Sequence, residues 1–194
     1  MLALTREKLV THLQKTPSLV DMYQQRNPAF VEKTVTWLAE LEQILLQVRS
    51  PLASHVAAER GRILAVFDGY RDGQISTKRV TRRKASLATT MLVLGQVDTS
   101  IQKVLDDIDG KFAIWREKMA QFIAVATNSH PIPLPPTEPR QAWLREVWRQ
   151  FAVTNETQGM YNYLNTVMSR SDRLYILDEL VGNLLSGQSD TNGT

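Results

Sequence analysis

A seven-residue hydrophobic repeat runs without a gap from Leu94 through Ile101, Ile108 and Trp115 to Phe122. A second track, offset by four, reads Met91, Asp98, Leu105, Phe112, Met119. Together they give 3-4 spacing over about four heptads, the pattern of one long helix with a narrow apolar seam. Such a seam is unfavourable in water, so the helix must lie along another helix. The fold class read from this is all-α. Upstream, Val31, Val35, Leu38, Leu41, Leu45, Val48 and Leu52 repeat the spacing behind an Asn27-Pro28 helix start. The two stripes predict an elongated antiparallel helical hairpin over residues 28–127. Its bend is expected near Gly73, where Asp68-Gly69 and Asp72-Gly73 follow closely. Ser76 or Thr77 is expected to cap the second arm.

Three positions bear on how continuous those arms are. Pro51 lies inside the first stripe, where proline removes a backbone hydrogen bond and clashes with the preceding turn. A kink is expected there, or a break with Ser50 as a new cap. Gly95 and Gly110 each cost the second arm roughly 1 kcal/mol relative to Ala. Residues 106–110 are the place where that arm would break, although the repeat keeps phase through them.

The ends of the chain read as shorter pieces. Residues 5–15 form a helix capped by Thr5, and Pro17-Ser18 starts a further turn through Tyr23. Five prolines between Pro131 and Pro139 forbid helix and favour an extended connector. Beyond it come three short helices. The first carries Trp143 and Trp148 and the second Tyr161 and Leu164. The third is capped by Ser171 and stopped by Gly187. The organisation read from this is a long-helix bundle over 1–127 and a proline-rich connector over 128–139. A smaller three-helix C-terminal part over 140–187 and a disordered tail over 188–194 follow.

Composition excludes several classes. Cysteine is absent, which removes disulfides, thiolate metal sites and a Cys nucleophile. No stretch approaches the roughly 18 uncharged apolar residues of a membrane span, and the first eight residues carry charge where a signal core would be apolar. A cytoplasmic setting is the expectation. His12, His55 and His130 are far apart and belong to no ligand-spaced pair. Asp68, Asp72, Gly73 and Ile75 imitate part of a calcium loop. Tyr70 and Arg79 stand where that loop needs oxygen ligands. No phosphate loop or nucleophile elbow is present. The sequence therefore calls for no catalytic residue, metal, cofactor or small-molecule substrate.

Net charge is +3, unevenly spread. Between Glu59 and Lys84 stand eight basic and three acidic residues, a surplus of five that leaves the rest of the chain at −2. Lys78, Arg79, Arg82, Arg83 and Lys84 form the densest part. At helical spacing, 78/82 and 79/83 stack one turn apart into a cationic stripe suited to phosphates or an acidic partner. Asp98 puts one polar side chain in the seam, a device that sets register or partner choice. Trp143 and Trp148, five apart, cannot share one helix face, so one of them is an interface candidate. The function expected is a non-enzymatic assembly or adaptor protein working through a protein partner or self-association. The alternative is a nucleic-acid-binding accessory protein that uses the basic patch at the hairpin tip.

Overall fold

The computed structural model describes residues 2–70, 81–129, 131–133, 140–152 and 155–189. The bend at Gly73, the caps Ser76 and Thr77, Lys78, Arg79, His130, residues 134–139 of the connector and residues 190–194 of the tail lie outside them. Within the described residues the chain is all-α. The helices are α1 Leu2–Leu13, α2 Thr16–Gln24, α3 Phe30–Gln47, α4 Leu52–Asp68, α5 Arg82–Ser129, α6 Arg140–Gln150, α7 Asn155–Val167 and α8 Arg170–Ser189. Packing divides the chain into two units. The N-terminal unit is Leu4–Asp106, and the C-terminal unit is Asp107–Thr194 together with Met1–Ala3.

The long helix is continuous. α5 runs 48 residues through Gly95 and Gly110 with no break at 106–110. Leu94, Ile101, Ile108 and Phe122 of the heptad are buried, and Trp115 is half-buried. The companion track changes along the helix. Toward its start the buried partners are Val93 and Val97; from Leu105 onward they are Leu105, Phe112 and Met119. An α-helix turns every 3.6 residues rather than 3.5, so a heptad stripe drifts by about 20° per repeat. Asp98 consequently sits half-buried at the margin of the stripe and Val97 takes the seam position.

The N-terminal unit departs from the expected hairpin in its first arm. That arm breaks at Ser50-Pro51, and α3 and α4 fold back on each other as an antiparallel pair. Ser50 is the cap: its Oγ accepts the Leu52 N–H at 3.3 Å and its carbonyl the Ala53 N–H at 3.1 Å. Arg60 of α4 meets Glu42 of α3 at 2.9 Å, and Arg62 bonds Glu59 and Gln96, both at 3.2 Å. The reversal needs a left-handed residue, and Arg49 supplies it at φ 54°. The Arg49 and Ser50 amides close onto the Leu46 and Leu45 carbonyls, the pattern of a Schellman end. Arg26 does the same for α2 at φ 55°. Among the described residues, α4 alone ends on the glycine that this geometry favours, Gly69 at φ 108°.

The core of this unit joins α1, α3, α4 and the first half of α5 through Leu9, Phe30, Leu38, Leu41, Leu45, Val56, Ile63, Val93 and Ile101. His12 and Trp37 lock α1 to α3 reciprocally. His12 Nε2–H donates to the Trp37 carbonyl at 2.9 Å and Trp37 Nε1–H donates to the His12 carbonyl at 3.2 Å. The rings stack at 4.8 Å. Burial holds the His12 pKa below its ordinary value, against the opposing pull of the Trp37 carbonyl. Lys15 lowers it further and Glu40, 3.8 Å away, raises it.

The C-terminal unit packs the second half of α5 against α6, α7 and α8. Phe122 lies against Trp148 and Phe151, at 5.4 and 5.5 Å, and Phe112 against Tyr175 at 6.0 Å. Ion pairs Arg116–Glu179 at 3.0 Å and Arg140–Asp178 at 2.5 Å hold α8 to α5 and α6. The cap of α8 is Ser169, not Ser171: Ser169 Oγ accepts the Asp172 N–H at 3.2 Å and donates to the Asp172 carboxylate at 2.5 Å. Asp172, 1 % exposed, also accepts the Leu2 and Ala3 N–H groups at 3.0 and 2.9 Å. Burial pushes its pKa up, but these hydrogen bonds outweigh it and leave the carboxyl below its ordinary range. Gly187 does not stop α8, which continues to Ser189.

Arg49→Gly relieves a left-handed residue and is expected to raise stability by about 1 kcal/mol, read as a higher urea midpoint. Because His12 resists protonation in the folded chain, its contribution is complete above pH 6.5, the ordinary histidine value, and declines as pH falls through that value. The thermal midpoint of wild type is expected to drop between about pH 7.5 and 5.5 more steeply than that of His12→Gln. Asp172→Ala strands buried amides and is expected to cost about 1–3 kcal/mol by chemical denaturation.

Candidate binding surfaces

Of the basic cluster, Arg82, Arg83 and Lys84 are described, and they form the first turn of α5. Thr81 is its cap, accepting the Lys84 N–H on Oγ1 at 3.4 Å and the Ala85 N–H on its carbonyl at 2.9 Å. Three cations therefore stand at the positive end of the helix dipole, where each is unfavourable by roughly 0.3–1 kcal/mol. Arg82 is used internally. Its Nε–H donates to the Phe67 carbonyl in the last turn of α4 at 2.5 Å, and its guanidinium lies over the Phe67 ring at 5.8 Å. Arg83 and Lys84 are exposed, and their side chains have no partner among the described residues. Further back in the basic stretch, Arg60 and Arg62 are neutralised by Glu42 and Glu59. Among the described residues of that stretch, the open positive charge is at Arg83 and Lys84.

Beside these cations lies a groove of about 640 Å³, lined by Pro28, Val31, Phe67, Leu87, Arg82 and Arg83 among others. Its walls are mostly apolar and its rim cationic. Phe67 is 54 % exposed and Tyr70, just past the end of α4, 75 %. Phe67 precedes Arg82 by 15 residues, too far for any helical spacing to pair them. Only the return of α5 to the end of α4 puts Phe67 beside the arginines.

Trp143 and Trp148 are not the exposed interface residues that their spacing suggests. They are 7 % and 8 % exposed. The two faces of α6 are both covered, so an offset of five residues did not leave one indole in solvent. Trp148 stacks on Tyr161 of α7 at 5.0 Å and carries Arg173 of α8 over its ring at 5.2 Å. Asp98 lies at the margin of its stripe and holds no register-setting ion pair among the described residues.

A second charged cluster is one that the sequence alone did not reveal. Arg145 and Arg149 on α6 meet Arg170 and Arg173 on α8 around a cavity of about 190 Å³. The spacings i,i+4 and i,i+3 were legible as one-sided pairs, but nothing in the sequence says that α6 and α8 would be neighbours. No group of three or more His, Cys, Asp or Glu side chains suited to a metal ion occurs among the described residues, and no described helix is long and apolar enough to cross a membrane. Compared with protein-family models, curated proteins and solved structures, the chain matches none.

Lys84 occupies the third position after the Thr81 cap. Lys84→Glu completes a Thr-x-x-Glu capping box and reverses an unfavourable charge, with an expected gain of about 1 kcal/mol in denaturant unfolding.

Proposed function

We propose that this chain is a non-enzymatic assembly or adaptor protein whose N-terminal unit grips an acidic, partly apolar segment of a partner protein. The observation that carries this reading is the widely exposed Phe67 in one apolar groove with Arg83, with Lys84 next along the same turn of α5. Tyr70, three residues beyond Phe67, adds a second exposed aromatic ring to that end of α4. Aromatic and arginine side chains around a desolvated pocket are the composition of interface hot spots. The first turn of α5 supports the same reading from the side of energetics. Cations at a helix N-terminus weaken the free protein and are relieved when an anion docks there. Acidic side chains on the partner meet Arg83 and Lys84, while its apolar residues fill the space between Val31, Phe67 and Leu87.

A second reading, nucleic-acid binding, draws on the same juxtaposition. An aromatic face next to free cations is how single strands are held without sequence preference. The two readings separate by salt and by probe. Under the first, a variant with Phe67→Ser, Arg83→Glu and Lys84→Glu loses its partner or its self-association, seen as a fall in mass by light scattering. A wild type that stays a bare monomer in the presence of its cellular extract counts against it. Under the second, a fluorescent oligonucleotide binds at ~50 mM salt, and Arg83→Ala with Lys84→Ala flattens the salt dependence by about one unit of slope for each phosphate those side chains neutralise. Absence of binding at that salt removes it.

A further inference from the structure

The C-terminal unit carries an arginine cluster that its acids do not fully neutralise among the described residues. α6 and α8 contribute Arg145, Arg149, Arg170 and Arg173 to one cavity, with Trp148 and Tyr161 as its aromatic wall. The carboxylates of these two helices are already engaged. Asp172 holds the Leu2 and Ala3 amides and Ser169. Asp178 pairs with Arg140 and Glu179 with Arg116. Glu146 pairs with Arg149 at 2.6 Å, leaving Arg145, Arg170 and Arg173 without a counter-ion among the described residues. Arg173 is the informative one. Its guanidinium lies over the Trp148 ring, and its Nε and Nη1 are sealed from solvent with no acceptor among the described residues. Trp148 Nε1–H is buried and without a partner among the described residues as well. Withdrawing a charge from water without a partner is costly, and so is leaving a buried donor unmade. The cavity is thus lined by surplus positive charge and by residues holding orphan donors, at a place where Arg170 also occupies the first turn of α8.

We propose that this cavity is a binding site for a phosphate group carried by a small molecule. Three uncompensated guanidinium groups exceed what one carboxylate neutralises, whereas a phosphate monoester brings about −1.5 to −2 and three acceptor oxygens. Planar arginine forks match those oxygens in pairs. A volume near 190 Å³ holds a phosphoryl group with a small substituent and not an extended polymer. Arg145 and Arg170, exposed at the rim, close on the outer oxygens, and the open edge of Arg173 meets the anion from the wall. Inorganic phosphate and an organic monoester share this chemistry, so the two sources are told apart by the probe.

The test is calorimetric titration and thermal shift of the 194-residue chain with inorganic phosphate, phenyl phosphate and sodium sulfate at matched ionic strength. Saturable binding of either phosphate, with sulfate weaker, is the expected result. Tighter phenyl phosphate assigns the site to an ester and tighter inorganic phosphate to the free anion. Arg173→Met keeps the stem against Trp148 and removes the charge. It is expected to hold or raise the midpoint of the free protein while weakening phosphate binding about tenfold or more. Arg145→Gln, at an exposed position, gives the same loss of affinity without a packing change, and Lys103→Gln, an exposed cation of α5 outside the cavity, leaves binding unchanged. Equal shifts from all three salts, no saturable binding, or undiminished binding in both Arg145→Gln and Arg173→Met overturns the proposal.

Discussion

The structure depends on one stripe that cannot stay on one line. The apolar repeat of α5 is set at 3.5 residues, while the helix that carries it turns at 3.6. Leu94, Ile101, Ile108 and Phe122 remain buried throughout, but their companions pass from Val93 and Val97 to Leu105, Phe112 and Met119. A single uninterrupted helix can therefore contribute to two cores. Leu9, Leu38, Leu41 and Ile63 belong with its first half, and Trp148 and Phe151, which lie against Phe122, with its second. Gly95 and Gly110 weaken the helix locally. The packing of their neighbours outweighs that weakness, as tertiary burial commonly overrides intrinsic propensity.

Charge is distributed by two different rules in the two units. In the N-terminal unit, most of the basic stretch between Glu59 and Lys84 that is described is spent on structure. Arg60 and Arg62 hold α4 against its neighbours, and Arg82 caps the end of α4 through the Phe67 carbonyl. What remains free is at the first turn of α5, where it is least favourable for the isolated chain. On α6 and α8 the described acids are engaged and three of the arginines are left over. Asp172, Asp178 and Glu179 secure helix ends and neighbours, so the positive charge of Arg145, Arg170 and Arg173 is uncompensated among the described residues. Both proposed binding surfaces rest on residues that stability alone would not retain.

Much of this was legible along the chain. The 3-4 spacing identified an all-α protein with a long second arm reaching to about residue 127, where α5 spans Arg82–Ser129. Of the kink or break expected at Ser50-Pro51 the structure has the break, capped by the Ser50 hydroxyl. Asn27-Pro28 began α3, with the Ala29 N–H on Asn27 Oδ1 at 2.9 Å. Misplaced caps had a common cause. Ser171 and Gly187 carry the right chemistry for helix ends, but Ser169 won because its hydroxyl reaches Asp172. Arg26 and Arg49 ended helices in the left-handed region without the glycine signal that the sequence would have to carry for such ends to be read from it.

The sequence by itself determined where helices form and which face of each is apolar, because periodicity and backbone chemistry are local properties. It determined, too, where positive charge is dense. Only the tertiary structure decided which helices became neighbours: α4 returned along α3 and did not extend the first arm, and α6 met α8. That choice buried Trp143 and Trp148, brought Phe67 to Arg82 and gathered four arginines around one cavity. A contact between distant residues depends on how stripes of several helices fit at once, and no single stretch of chain contains that information.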